Sequence, residues 1–195
     1  MTPKKLATSA LLAIVLSLTA VTAGAQTQTA LFGETNVQLS NDFVNALGSL
    51  DVRPGTVFPT RLLKGTVNFP VVAGAIDLQN AKGELLHSGG LTLSSGTTTV
   101  QLQSFIIDTT NGQPFISGLV SVNGSVLGRL PLFTLELPSG FTVPLKVVHN
   151  FVILKGVGVK LSSGAATALN TVFNVSAFQP GFNIGTANVS FYSFR

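Results

Sequence analysis

Cysteine and tryptophan are absent from the 195 residues, and there are only one tyrosine, one methionine and two histidines. Each scarcity removes a class of chemistry. Without thiols there can be no disulfide, thiolate metal site, thiol nucleophile or Cys-x-x-Cys-His haem attachment, so packing alone must hold the fold. Charge is scarce too: Asp, Glu, Lys and Arg make up 9% of the chain, against about a quarter in ordinary globular domains. A surface of Thr, Ser and Asn suits an extracellular β protein better than a cytosolic enzyme. The basic residues are scattered from Arg53 to Arg195, with no stripe and no interleaved aromatics, so nucleic acid is not an expected partner.

The reactive inventory is correspondingly thin. His87 and His149 are the only imidazoles, and there is no G-x-S-x-G elbow, H-E-x-x-H pair or Gly-rich phosphate loop. His87 and Ser88 are neighbours in sequence, but successive strand residues face opposite sides, which places them badly for sharing a proton. The carboxylates Glu34, Asp42, Asp51, Asp77, Glu84, Asp108 and Glu136 include no pair on one strand face, so the sequence supplies no ready acid and base for glycoside hydrolysis. The two histidines have no metal-ligand spacing between them. The expectation is a protein that is not an enzyme.

What the chain does contain starts with a leader. Lys4 and Lys5 precede an apolar run from Leu11 to Val21 and a small-residue end, Ala23-Gly24-Ala25. That is the pattern of a secretory signal peptide, residues 1–25. The run is shorter than the roughly 20 residues that span a bilayer, so membrane association is not expected once it is cleaved. Without Lys4 and Lys5, nine basic residues face seven acidic ones, and the mature net charge is +2. Residues 26–34 read as a flexible leader, and residues 35–195 as a single all-β domain.

Within 35–195 the dominant pattern is alternation. Val67, Phe69 and Val71 share one strand face, and so do Thr98, Val100, Leu102 and Ile106. Asn123-Gly124, and the Asn111-Gly112 step, are hairpin signals of the type I′ kind. Pro144 interrupts an expected strand from Phe141 to Leu154. Two helices break the series. Ser40 caps one in which Phe43, Leu47 and Leu50 fall on a single face. Val37-Gln38-Leu39-Ser40 and Ala46-Leu47 recur as Val159-Lys160-Leu161-Ser162 and Ala168-Leu169, at a constant offset of 122 positions. This is read either as a pair of strand-helix units closing the two ends of a sandwich, or as a local cap solution found twice. The expected fold is an antiparallel β-sandwich-like domain of about ten strands with two short helices.

The stretch Leu86-His87-Ser88-Gly89-Gly90-Leu91 singles itself out, because it holds a histidine beside glycines that expose backbone. His87, Gly89 and Gly90 are the candidate ligand-binding residues, for a small ligand or a cell-envelope component. The plain alternative for His87 is a hydrogen-bonded histidine at a strand end. An outer-membrane β-barrel is a further reading, opposed by the missing aromatic girdles.

The order of the Ser40–Leu50 helix, Gly65-Thr66-Val67-Asn68-Phe69, the His87-Ser88-Gly89 segment and the strand to Ile107-Asp108 resembles the HtaA-type domain of secreted and surface haem-uptake proteins. The resemblance implies an all-β fold with a small helical part, and a secreted or cell-envelope location. It also implies haem as the one cofactor to consider: in haem-binding members a tyrosine in the first helical region ligates the iron and a histidine in the His-x-Gly segment supports it. His87 matches that histidine and would be the iron-associated residue if haem binds. Ala46 stands near the place of the tyrosine. The resulting expectation is a non-catalytic binding or structural module, with haem binding through His87 as the alternative.

Overall fold

In the computed structural model, residues 27–194 are described; the expected signal peptide lies outside them. Twelve strands and two helices follow in the order β1 (Thr27–Leu39), α1 (Asn41–Ser49), β2 (Arg53–Val57), β3 (Arg61–Leu63), β4 (Thr66–Asp77), β5 (Lys82–His87), β6 (Gly90–Ser95), β7 (Thr98–Asp108), β8 (Phe115–Val122), β9 (Ser125–Glu136), β10 (Val147–Val148), β11 (Phe151–Leu161), α2 (Ser163–Phe173) and β12 (Asn183–Phe194).

The strands form one antiparallel sheet that closes on itself. The path β7-β5-β4-β1-β12-β11-β9-β8 returns to β7 through the pairs Val100–Val122 to Asp108–Phe115. The sandwich expectation is therefore corrected to a closed eight-stranded barrel, with β2, β3, β6 and β10 added outside the ring. Closure removes the edges of the eight ring strands, and the short strands β2, β3 and β10 keep one free edge each. Side chains at alternate positions fill the interior: Val67, Phe69 and Val71 from β4, Val157, Val159 and Leu161 from β11, and Ala187, Val189 and Phe191 from β12 are all buried. Toward the helix end the wall faces water with Asn36, Gln38, Asn68, Thr186 and Asn188, while Phe32, Val72, Phe151, Ile153 and Phe194 are exposed nearer the other end. The interior is apolar, unlike the polar lumen of a membrane barrel. No helix among the described residues is long and apolar enough to cross a membrane.

Three local expectations are also corrected. Residues 27–34 are not a loose leader but the first half of β1, paired to β4 and β12, with Ala30 wholly buried. Small and polar side chains there conceal the core position. In β7 a bulge at Ser104, with φ +52°, moves Phe105 and Ile107 inward in place of Ile106. The Phe141–Leu154 strand is mostly a loop, with strand resuming at β10 and β11. The Asn123-Gly124 turn holds, with φ +50° and +82°.

The repeated unit is real in three dimensions. Ser40 accepts a hydrogen bond from the Phe43 amide at 3.1 Å, and Ser162 accepts one from the Ala165 amide at 3.1 Å. Each serine also ties its helix to the next strand. Ser40 donates through N and Oγ to the Ile184 and Asn183 carbonyls, and Ser162 likewise to those of Leu132 and Pro131. Because β1 and β11 both pair antiparallel with β12, they run parallel, so both helices cap the same end of the barrel. The two units do not close opposite ends.

Candidate binding site

Helices α1 and α2, with the β8–β9 hairpin and the β2–β3 segment, surround a mouth. Behind it lies a cavity of about 80 Å³ walled by apolar side chains, among them Phe43, Leu62, Leu127, Leu169 and Val172. Leu62, Leu127 and Leu130 on its wall remain exposed by 36%, 60% and 38%, so the apolar lining continues to the surface. A second chamber, of about 50 Å³, lies deeper. It shares the walls Leu39, Val67, Leu91, Phe133 and Ile184 with the first.

His87 and Thr35 line this inner chamber. The imidazole is buried, and its Nε2 lies 2.7 Å from Thr35 Oγ1. Thr35 is on β1 and His87 at the end of β5; the barrel strand between them, β4, joins the two neighbourhoods. Nδ1 has no hydrogen-bond partner. Burial lowers the His87 pKa from 6.5 to about 4, with the nearby backbone of Phe105 and Leu85 opposing part of the fall. The side chain is therefore a neutral imidazole at physiological pH. Leaving a ring nitrogen unpaired in an apolar interior costs roughly 1–3 kcal/mol. If Thr35 donates its hydroxyl proton to Nε2, the hydroxyl is satisfied and the proton sits on Nδ1; the opposite arrangement leaves both the hydroxyl proton and Nδ1 without partners.

Gly89 and Gly90 play another part than expected. A Cβ on Gly90 would overlap the Leu102 carbonyl oxygen, and one on Gly89 would overlap Thr60 Oγ1. The space left by the missing side chains is taken by the protein's own strands, not held open for a ligand. The glycines let the chain bend from β5 into β6, which pairs closely with the adjoining part of β7, and Gly89 additionally adopts φ +78°. His149, by contrast, is exposed on the β10–β11 turn. Thr35 is the site residue the sequence did not mark, since its partner is 52 positions away.

Haem does not fit the chamber that His87 lines. The inner chamber is far smaller than a porphyrin, and His87 is only 5% exposed. The one tyrosine, Tyr192, accepts a hydrogen bond from Asn150 Nδ2 through its hydroxyl oxygen and does not line either chamber. Among the described residues, no cluster of three His, Cys, Asp or Glu side chains is placed to hold a metal ion.

No protein-family model and no curated protein matches the chain. Solved structures do. The C-terminal domain of HtaA from Corynebacterium glutamicum superposes with a TM-score of 0.66 at 15% identity, over 85% of this chain and 99% of that one. The chain has the HtaA-type fold. The N-terminal domain of HtaA gives a TM-score of 0.63 at 10% identity, over 84% and 97% of the two chains. The haem binding protein HtaB of the same organism gives 0.57 at 9%, over 86% and 94%. At these identities the likeness is one of architecture, with the sequence widely diverged.

Proposed function

We propose that the protein is an exported, non-catalytic binding module of the HtaA-type fold, which admits a small, largely apolar ligand through the helix-capped mouth of its barrel. The observation that carries this reading is the apolar cavity open at the exposed leucines of the rim, with the chamber beside His87 directly behind the residues they share, Leu39, Val67, Leu91, Phe133 and Ile184. Apolar cavities of this kind stay dry and take up apolar molecules of matching size. His87 is the single polar feature at the floor besides Thr35, and its neutral ring favours an uncharged ligand group over a carboxylate. An exported setting rests on the leader pattern and the low charge. A cell-envelope protein that binds haem, as its structural neighbour HtaB does, is the alternative reading, opposed by the size of the chamber and by the absence of a nearby tyrosine.

Xenon, a small apolar atom of the kind that dry apolar cavities take up, provides the test, followed by its NMR chemical shift. Titration is expected to give saturable binding that falls several-fold in Ala168→Phe, which narrows the mouth from the exposed side of α2. No saturable binding in the unaltered protein overturns the proposal. Haem titration followed in the Soret region decides the alternative: a shift that vanishes in His87→Ala replaces the present reading with haem binding, and no shift removes haem.

A further inference from the structure

The end of the barrel opposite the helices holds a cavity of about 280 Å³ bounded largely by apolar core side chains. Its inner wall is made by barrel residues: Ile76, Leu85, Ile107, Val157, Val189 and Phe191. Its outer wall is the loop after β9, which contributes Leu137, Phe141 and Leu145. Few backbone hydrogen bonds pin that loop: the Leu145 amide donates to the Leu78 carbonyl at 2.6 Å, and the Phe141 amide to Pro138 at 3.0 Å. A single charged residue, Lys82, reaches the cavity wall, beside Thr109 and Asn111. Lys82 is exposed and takes part in neither of the two ion pairs found among the described residues, Arg53–Asp51 and Lys160–Glu136.

We infer that this chamber binds an anionic amphiphile, a medium-chain fatty carboxylate, with the tail inside the barrel and the headgroup at Lys82. The volume sets the tail: about 280 Å³ is nearly twice the ~150 Å³ apolar cavity that takes up benzene, room for a chain of roughly eight to ten carbons. The lining sets its character, since the inner wall offers only aliphatic and aromatic surface. The charge sets the head: Lys82 lies across from Asp77 in the β4–β5 register but forms no ion pair with it, and it is the one cation lining the pocket, which favours an anion over a neutral group. The site is distinct from the helix-capped mouth, and the two assignments fail independently.

Decanoate, below the concentration at which it forms micelles, is the probe, followed by calorimetry on the purified protein. Saturable binding is expected, with decanol weaker by roughly three- to fivefold, the effect of one partly exposed charge pair. Lys82→Gln should weaken decanoate by the same factor and leave decanol unchanged. Leu137→Trp, which fills the outer wall from an exposed position, should abolish both. Ala168→Phe should change neither. The inference is overturned if the unaltered protein does not bind decanoate, if Leu137→Trp binds normally while folded, or if Ala168→Phe is the variant that loses binding, which would put the acyl chain in the mouth. Flotation with phosphatidylglycerol vesicles separates the sources of the anion: binding to vesicles without competition from decanoate identifies a lipid surface and also overturns it.

Discussion

At the scale of single residues, His87 makes the clearest physical commitment. An unfolded histidine takes up a proton near pH 6.5, whereas the buried one does so only near pH 4. Between those values the unfolded chain binds more protons than the folded one, so stability falls as pH drops through the window and is fully retained above it. Integrated over the shift, the loss is about 3 kcal/mol. Denaturant titrations should show the pH dependence reduced by that amount in His87→Gln; equal slopes in the two proteins would mean that the folded protein admits the proton. The sequence singled out His87 but gave its surroundings no depth. Its hydroxyl partner is 52 residues away, and its glycine neighbours serve close packing against Thr60 and β7, and both facts arise from contacts that no local window contains.

At the scale of elements, periodicity was readable wherever a strand was regular. The faces of β4 and of α1 follow from alternation and from 3.6-residue spacing, and the Ser40 and Ser162 caps from their place before apolar helical faces. Irregular places defeated the same rules. One bulge residue, Ser104, shifts the inward phase of β7 by one position, and the inserted residue is invisible in a two-residue repeat. The first half of β1 was hidden for another reason: its only deeply buried hydrophobe is Ala30, a side chain too small to stand out among Gln and Thr. Deleting residues 27–34 tests its real weight. It removes pairing to both β4 and β12, and the circular dichroism signal should lose its cooperative thermal transition. A truncated protein that melts as before would show those residues to be dispensable.

At the scale of the whole molecule, alternation and turn spacing suit a sandwich and a barrel equally, since both bury one face of an antiparallel sheet. The deciding feature is the pairing of β7 with β8 while β8 also pairs with β9, which joins the two ends of the strand order. Closure also explains how a chain without disulfides and with little charge keeps its sheet from pairing with other chains: no long edge is left within the ring. The same closure has a consequence for engineering. Because β1 and β12 are neighbours, with Thr29 across from Phe194, the first and last described strands meet at one place in the wall. A short Gly-Ser linker joining them, with new termini opened at the Asn123-Gly124 turn, should give a circular permutant that folds to the same barrel. The order of the strands in sequence would change while every hydrogen-bonded neighbour stayed where it is.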